Sequence, residues 1–483
     1  PGLRGRAAHR GTGLDRPLLM AADRRPAATG YATAWRWHFY AGLFTAPFLL
    51  MLAVTGAIYL FNDELNDRLY PQLRFAPGGD RILPAGDLVA AVRDHYPDAT
   101  VTRIDMPVTP GRTAMAFVTP AAGGEPFRAF IDPADATVLG DLIYSHTLVG
   151  FADRMHGSLL LGEGGDALVE LAASWALVLV ASGLWLWWPR GRRKGRAFRF
   201  DRRRRGRGRW REVHRLVGAY TAVMIVFLIV TGLPWAGFWG DRVLAPASNA
   251  LGLGYPPELR HHGGGDGKTL LDTLGEAPWA LLQAPLPDNG AGADPHAHHH
   301  GGALPDTRPA AINRVHRALA ERGLAYGYRL SIPAGAGEPY SAYTYPARPQ
   351  GQRTLHLDGE GKVLLEVGFD DYGAVAKAVE YGVALHMGNY FGGINQGLML
   401  LTCVAIVALV ITGVVMWWRR RPPGGLAPPP GGGPERAPLP RRYLLALLIT
   451  LLALLPLAGA SLAVILALDA LWRRVQRALA SAG

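Results

Sequence analysis

The sequence predicts a polytopic α-helical membrane protein. Three observations support this fold class: long apolar runs, basic residues beside them, and histidines in a repeated register. Five runs are apolar over the length of a bilayer-spanning helix, which needs about 20 residues. They cover residues 37–61, 168–188, 214–239, 397–418 and 443–471. None has a charged residue at its centre, where an Arg or Asp would cost a few kcal/mol or more.

The placement of the basic residues predicts the topology. The net charge is +12, and fourteen Lys and Arg residues lie from Arg190 to Arg215, between two spans. Such clusters in short loops beside spans are typical of the cytoplasmic side, so they favour a membrane topology over nucleic-acid binding. Residues 1–34, 189–213 and 419–442 are therefore predicted to be cytoplasmic, and residues 62–155 and 240–385 to be periplasmic.

The first half of the chain is predicted to contain a tail, two spans and a small α+β domain between them. Residues 1–34 form a disordered tail, 35–61 the first span, 62–155 the first periplasmic domain, 156–188 the second span with an interfacial lead-in, and 189–213 an Arg-rich loop. Within the domain, residues 85–95 predict a helix, and residues 101–106, 113–119 and 126–131 predict strands.

The second half is predicted to repeat this order and to add a fifth span. Residues 214–239 form the third span, 240–385 the second periplasmic α+β domain, 386–418 the fourth span with its lead-in, 419–442 a linker, 443–471 the fifth span and 472–483 a tail. Residues 241–310 are rich in Gly, Pro, Ala and His and predict a loop-like insertion. Residues 311–322 predict a helix, and residues 328–332, 340–345 and 353–357 predict strands. Pro456 would divide the fifth run into halves too short to cross separately, so a single tilted crossing is predicted.

Four histidines introduce the first four spans, and their surroundings repeat. At an offset of 176, His38, Gly42 and Thr55-Gly56 correspond to His214, Gly218 and Thr231-Gly232. At an offset of 230, His156, Gly162 and Ser182-Gly183 correspond to His386, Gly392 and Thr412-Gly413. The four core spans therefore read as two copies of one two-helix unit, and the fifth span has no counterpart.

In the predicted topology these histidines form two pairs at matched depths. His38 and His214 lie near the cytoplasmic face, and His156 and His386 lie near the periplasmic face. Two histidines from different helices can supply both axial ligands of a haem iron, so the pattern predicts two b-type haems, one for each pair. The only cysteine is Cys403, and the chain has no Cys-x-x-Cys-His for covalent haem attachment.

Residues near the histidines extend the predicted haem sites. Gly42 and Gly218 lie one helical turn beyond His38 and His214 on the same helix face, where a missing side chain leaves room for a macrocycle. Arg36 and Arg215, and Arg154 near the outer pair, are candidates for pairing with haem propionates.

Each of these residues also has a simpler interpretation. A histidine near a helix end is often an interfacial side chain, and small residues in membrane helices are often packing positions. His146 competes with His156 as a ligand, although its counterpart at offset 230 is Ala376. The histidines within residues 296–300 could bind a transition metal, but their Gly/Pro-rich setting is typical of a solvated loop. The Trp pairs at 187/188 and 417/418 fit interface anchors, although indoles between two haems could assist electron transfer.

Four stretches around the histidines resemble the PepSY-associated transmembrane family, which includes iron-regulated inner-membrane proteins and ferric-siderophore reductases. They are Trp35-Arg36-Trp37-His38, Met155-His156-Gly157-Ser158, Glu212-Val213-His214-Arg215 and Leu385-His386-Met387-Gly388. Ile131-Asp132-Pro133 and Leu357-Asp358-Gly359 are similar to phrases of PepSY domains. The resemblance extends over roughly residues 35–420.

The resemblance implies a dihaem protein of the bacterial inner membrane that reduces Fe(III)-siderophores or other ferric chelates on the periplasmic side. The electron donor would be a separate cytoplasmic reductase or a quinol, since the cytoplasmic segments have no Gly-x-Gly-x-x-Gly and no loop large enough for a flavin domain. Two alternatives stay open: a non-enzymatic regulator whose PepSY-like domains bind a peptidase or an envelope partner, and a metal or siderophore transporter. A regulator leaves the register of the histidines unexplained, and a transporter typically has broken helices or inverted repeats.

Overall fold

Five helices of this computed structural model are long and apolar enough to cross a membrane. They are Ala34–Tyr59, Gly162–Trp187, Arg207–Trp235, Gly393–Trp418 and Pro456–Ser481. The structure describes residues 26–189, 198–256, 269–270, 278–287, 305–335, 337–421 and 441–482. The prediction of a polytopic α-helical membrane protein is confirmed.

The helices of the described residues are numbered here in chain order. They are α1 (Pro26–Tyr59), α2 (Asn62–Leu69), α3 (Pro71–Arg74), α4 (Ala85–His95), α5 (Leu148–Ser158), α6 (Gly162–Trp187), α7 (Arg207–Gly232), α8 (Ala245–Ala250), α9 (Pro309–Glu321), α10 (Ala374–His386), α11 (Gly393–Trp418), α12 (Arg441–Leu454) and α13 (Pro456–Ala482).

Four spanning helices, α1, α6, α7 and α11, form a bundle. Helix α1 packs against α6 and α11, and α7 packs against the same two helices, so α1 and α7 lie diagonally across the bundle. Ala53, Ile225 and Cys403, one from each of α1, α7 and α11, are buried together in the interior. Helices α5 and α10 precede α6 and α11. The end of the bundle that connects to the strands is called the sheet end, and the opposite end the far end.

The strands of both outer segments form one antiparallel sheet. The first segment supplies β1 (Ala99–Asp105), β2 (Ala114–Pro120), β3 (Phe127–Ile131) and β4 (Val138–Leu142), and the second supplies β5 (Tyr328–Ser331), β6 (Tyr340–Thr344), β7 (Arg353–Leu357) and β8 (Val363–Gly368). The strand order is β4-β3-β2-β1-β5-β6-β7-β8. The six predicted strands are present, whereas the sequence does not predict the edge strands β4 and β8, which lack a regular apolar alternation.

The shared sheet corrects the prediction of two separate α+β domains. Strands β1 and β5 pair directly, with Ile104 opposite Leu330. Helices α4 and α9 lie side by side over one face of the sheet, where Leu88, Ile312 and Val315 are fully buried. The physical reason is that β1 and β5 would each be an exposed edge in a separate domain, with unpaired backbone groups that pairing satisfies.

Helix α1 begins at Pro26, inside the segment 1–34 that is predicted to be disordered. Proline favours the first position of a helix, because its missing N–H is not needed there and its φ is already helical. The prediction of a tail is therefore wrong for residues 26–34, and residues 1–25 lie outside the described residues.

The described parts of the predicted loop-like insertion 241–310 are folded. A π-helical turn at Trp239–Leu244 leads into α8. Trp279 and Leu281 are buried in an apolar cluster that also contains Phe369 and Tyr372. These apolar residues are sparse along the chain but converge in space, so the average composition does not reveal them. The histidines within 261–262 and 296–300 lie outside the described residues.

The C-terminal region differs from the single crossing predicted over 443–471. It is divided at Leu455 into α12 and α13, because Pro456 lacks the N–H that a continuous helix needs. Helix α13 alone is long enough to span, since it includes most of the predicted tail and runs to Ala482. It packs on α6, where Trp175 Nε1 donates a hydrogen bond to Ser461 Oγ at 2.9 Å.

Replacement of Asn313 by Leu is expected to destabilise the sheet region by about 1–3 kcal/mol, because it leaves a buried N–H without a partner. Asn313 Oδ1 accepts the N–H of Gly86 at 2.8 Å, and its Nδ2 donates to Asp87 Oδ1 at 2.8 Å, so it ties α4 to α9. Denaturant unfolding and hydrogen exchange of residues 85–95 measure the effect. Arg317→Ala, at an exposed position of the same helix, is the control and should change stability by less than about 0.5 kcal/mol. Equal effects of the two substitutions would contradict this role of Asn313.

Candidate functional site

The far-end pair of histidines meets across the bundle. His38 of α1 and His214 of α7 have ring centroids 6.2 Å apart, and their planes are inclined at 84°. Metal–imidazole bonds of about 2.0–2.1 Å, with each nitrogen about 1.1 Å from its ring centre, would separate two opposed rings by about 6.2–6.4 Å. The spacing therefore fits two imidazoles that bind one metal ion from opposite sides.

The second pair lies at the sheet end. His156 is near the C-terminus of α5, and His386 is the last residue of α10. The two rings are close enough to interact electrostatically. Each reaches the sheet end of a spanning helix: His156 contacts Thr55 of α1, and His386 contacts Thr231 of α7. The two histidines of each predicted pair are thus brought together in space.

Each of the four imidazoles is held by a hydroxyl group from a neighbouring helix. The Nδ1–oxygen distances are 3.2 Å for His38 with Ser182, 3.0 Å for His156 with Thr55, 2.9 Å for His214 with Thr412 and 2.9 Å for His386 with Thr231. All four hydroxyl residues belong to the repeated Thr-Gly and Ser-Gly pairs of the sequence.

The hydroxyl protons determine which ring nitrogen carries hydrogen. Each hydroxyl donates to a carbonyl of its own helix: Thr55 to Met51 at 2.8 Å, Ser182 to Leu179 at 2.9 Å, Thr231 to Phe227 at 2.7 Å and Thr412 to Ala408 at 2.7 Å. Each hydroxyl oxygen must therefore accept a hydrogen bond from the ring. For His38, Nδ1 is also 3.1 Å from the Leu179 carbonyl, which can only accept. The proton is on Nδ1, so the Nε2 lone pair is available to a metal.

The glycine after each hydroxyl residue makes room for the ring. A Cβ at Gly183 would lie 2.9 Å from His38 Cε1, and one at Gly56 would lie 3.2 Å from His156 Cε1. At Gly232 and Gly413 the corresponding distances, to His386 and His214, are 3.6 Å and 3.7 Å. The first two-helix unit, α1 with α6, therefore requires glycine more strictly than the second unit, α7 with α11. In the second unit a Cβ would make an ordinary contact with the ring.

Within each helix pair the contacts are reciprocal. Helix α1 places His38 against Ser182 of α6, while α5, which leads into α6, places His156 against Thr55 of α1. The pair α7 and α11 repeats this exchange.

The seventeen residues between His38 and Thr55 correspond to about 26 Å of helix, so the two histidine pairs lie near opposite ends of the bundle.

Gly42 and Gly218 lie at helix–helix contacts. A Cβ at Gly42 would be 3.4 Å from Leu179 Cδ1, and one at Gly218 would be 3.5 Å from Leu409 Cδ2. These glycines let α1 approach α6, and α7 approach α11, close to the residues that hold the far-end histidines. The predicted contact of both glycines with a macrocycle stays a prediction.

The predicted propionate-binding arginines have different surroundings. Arg215 Nη2 lies 2.6 Å from Oε1 of the buried Glu212. Arg154 Nη1 lies 3.1 Å from Glu125 Oε1. Both guanidinium groups thus already bind a carboxylate of the protein. Arg36 is exposed at the far end, two residues before His38.

The remaining sequence candidates lie apart from the two pairs. The imidazole of His146 is 69% exposed and 3.5 Å from Glu125 Oε2, whereas His156 contacts Thr55. The paired Trp rings at 187/188 and 417/418 are both edge-on with centroids 6.2 Å apart. Trp188 and Trp418 are exposed at the far ends of α6 and α11, as interface anchors would be, and not between the histidine pairs.

The sequence contains the signal for the hydroxyl–glycine pairs but does not reveal their role. Their constant spacing from the histidines is visible in the repeat, whereas their contacts join different helices. The hydroxyl group of Thr55, for example, binds a histidine 101 residues away. The signal that could have found them is a small hydroxyl residue followed by glycine in each core span. It stands 17 residues after the histidine in the first and third spans and 26 residues after it in the second and fourth.

The family model described as "PepSY-associated TM region" matches residues 35–420. The chain belongs to the PepSY-associated transmembrane family. The match includes the four bundle helices, the shared sheet and both histidine pairs, and it ends before α12. No curated protein matches the chain significantly. Membership in the PepSY-associated family confirms the resemblance on which the sequence-based hypothesis rests.

Replacement of Gly183 by Ala is expected to displace the His38 ring and to destabilise the bundle by about 1–3 kcal/mol, as overpacking does. Gly413→Ala is the matched control, because its Cβ would lie 3.7 Å from His214 Cε1. It should be neutral or slightly stabilising, since alanine favours helices over glycine. Thermal unfolding in detergent measures both variants. A Gly413→Ala variant as unstable as Gly183→Ala would contradict the geometry.

Replacement of Thr412 by Val removes the hydroxyl group that accepts the Nδ1–H of His214 and leaves the Leu409 carbonyl as its acceptor. We therefore expect a loss of about 0.5–1.5 kcal/mol, the contribution of one hydrogen bond. Thr221→Val, in which the hydroxyl donates only to Val217 of its own helix at 2.7 Å among the described contacts, is the control. In ¹⁵N spectra of labelled histidine, the Thr412→Val protein should shift the Nδ1–H signal of one residue. If that signal stays unchanged, Thr412 does not accept the Nδ1–H of His214.

Proposed function

We propose that the protein is a dihaem, b-type electron-transfer protein that reduces ferric chelates, such as Fe(III)-siderophores, outside the cytoplasm. In this proposal it is a membrane ferric reductase of the bacterial inner membrane. Its electrons come from a separate cytoplasmic reductase or from quinol. The duplicated two-helix unit supplies His38 and His214 to one haem and His156 and His386 to the other.

The observation that carries the proposal is the far-end pair, with ring centroids 6.2 Å apart and Nδ1 of both histidines in hydrogen bonds. A haem iron needs only two protein ligands, because the porphyrin supplies the other four, and bound haem would supply one-electron redox chemistry at each end of the bundle. The protein residues orient the ligands: the hydroxyl groups hold each imidazole by Nδ1, and the glycines leave room for it.

The basic residues support an orientation in which the far end is cytoplasmic. Exposed arginines precede His214 on α7 and in the segment before it: Arg202, Arg203, Arg205, Arg207, Arg209 and Arg211. Short basic segments beside spans stay on the cytoplasmic side. In this orientation His38 and His214 are the pair near the electron donor, and His156 and His386 are the pair near the sheet and the external chelate.

The substrate class rests on the chemistry of reduction and on the family resemblance. Each turnover takes one electron from the donor and converts Fe(III) in the chelate to Fe(II). Hard oxygen donors such as those of siderophores hold the more highly charged ion more strongly. Reduction therefore weakens the chelate and favours release of the iron.

The visible spectrum of the purified protein, with and without dithionite, tests the proposal. We expect two b-type haems per chain, and one haem per chain after His214→Ala or His386→Ala, because each substitution removes one ligand from one pair. His316→Ala is the control, since His316 contacts Tyr328 in the sheet region and belongs to neither pair. A protein purified without any haem spectrum would contradict the proposal and favour a regulator or a transporter. Retention of both haems in His156→Ala would assign the outer ligand to His146.

A further inference from the structure

A fully buried carboxylate lies on the helix that ends at His386. Glu380 of α10 has no exposed surface. Its Oε2 accepts a hydrogen bond from Gln352 Nε2 at 2.7 Å, and its Oε1 accepts one from the N–H of Ala280 at 3.4 Å. The backbone of Trp279 contributes a further hydrogen bond. The carboxylate thus has hydrogen-bond donors from two other segments of the chain.

Gln352 can form a hydrogen bond with either protonation state of the Glu380 carboxyl group. Its Oε1 is buried and has no hydrogen-bond partner among the described residues. A glutamine amide carries both a donor and an acceptor, so a half-turn of the amide would present Oε1 to Glu380. The present orientation donates to a carboxylate, and the turned one would accept from a carboxylic acid. The pair needs no other rearrangement to bind a proton.

A small cavity connects this pair to the sheet end of α10. It is lined by Gln352, Glu380, Val383, Met387 and Asn389, among other residues. Asn389 is exposed, and it follows His386 by three residues. Glu380 therefore lines the same cavity as a residue that is exposed to the solvent.

We propose that Glu380 is a proton-binding site coupled to the redox state of the site formed by His156 and His386. The inference rests on the proposed function. When that site gains one electron from the donor, the Glu380 carboxylate binds protons from the external solvent about tenfold more strongly. When the electron leaves for the ferric chelate, these protons are released. The protons taken up partly offset the negative charge that the electron adds.

The position of Glu380 supports this coupling. The six residues from Glu380 to His386 correspond to about 9 Å of helix. At an effective dielectric constant of about 20, a unit charge about 10 Å away changes the proton affinity of a carboxylate roughly tenfold. An added electron strengthens proton binding, because it makes the surroundings of the carboxylate more negative.

Several charged groups lie on the neighbouring elements, and most of them have other partners. Lys377 Nζ donates to the Asp370 carbonyl, Asp371 accepts the Gly368 N–H, Arg353 pairs with Glu366, and Asp241 and Arg242 belong to the adjacent π-helical turn. The Tyr372 hydroxyl is buried and interacts electrostatically with Glu380. Burial raises the pKa of Glu380, and the hydrogen bonds from Gln352, Ala280 and Trp279 lower it.

Redox titration of the sheet-end haem as a function of pH tests the proposal. In the native protein the midpoint potential should fall as the pH rises through the titration of Glu380. The expected total is about 59 mV, which corresponds to a tenfold change in proton affinity for a one-electron couple. Glu380→Gln should abolish this part of the pH dependence, and the Gln352 amide can turn to accept from the new side chain. Glu338→Gln is the matched control: Glu338 is a buried carboxylate that accepts backbone N–H groups of Ala334 and Gly335.

Infrared difference spectra between the reduced and oxidised native protein provide a second measurement that needs no variant. Reduction should produce the absorption of a protonated carboxylic acid, which shifts in D₂O and persists in Glu338→Gln. The proposal is wrong if no such band appears, or if Glu380→Gln titrates as the native protein does. A protein without haem would instead contradict the proposed function, so the two failures are distinguishable.

Discussion

The arrangement of the bundle depends on one repeated contact. In it, a hydroxyl group on one helix accepts the Nδ1–H of a histidine from another, and the glycine after the hydroxyl residue leaves space for the ring. A buried N–H without a partner costs about 1–3 kcal/mol, and a Cβ at Gly183 would lie 2.9 Å from the ring of His38. The contact therefore restricts the position, the tautomer and the direction of each imidazole. Because each helix pair exchanges two such contacts, one at either end, it also restricts how the two helices align along their length.

The shared sheet adds a second constraint at one end of the bundle. The first four strands follow α1, and the last four follow α7, which lies diagonally opposite α1. Pairing of β1 with β5, and packing of α4 against α9, connect the two halves outside the apolar region. Arg112 also binds Asp67 of α2 through two hydrogen bonds, at 2.6 Å and 2.8 Å, and so ties the extension of α1 to the sheet. The sheet-end histidines lie on the short helices between this sheet and the spans, so their separation depends on both constraints.

The sequence-based predictions are accurate where residues close together in the chain determine the structure. They are less accurate where contacts between distant residues determine it. The helix at residues 85–95 and the strand at residues 353–357 have the predicted bounds, because local apolar periodicity determines both. The insertion 241–310 is predicted as a loop, yet Trp279 and Leu281 are buried against residues of the later chain. In the C-terminal region the single crossing predicted over 443–471 is divided before Pro456, and the helix that begins there can span alone. In the insertion the sequence interpretation fails because contacts between distant residues decide the structure, whereas the break before Pro456 is a local effect of the proline.

The sequence by itself determined that the chain is a membrane protein and where four of its spans lie. It also determined the repeated spacing around the four histidines and which histidines these are. Apolar length, charge placement and constant spacing are properties of the linear chain, so they can be read without coordinates. Only the tertiary structure decided that His38 and His214 lie 6.2 Å apart, that Nδ1 carries the proton, and that the two outer segments share one sheet. These depend on which helix faces which and on distances between atoms many residues apart. Spacing along the chain does not contain that information.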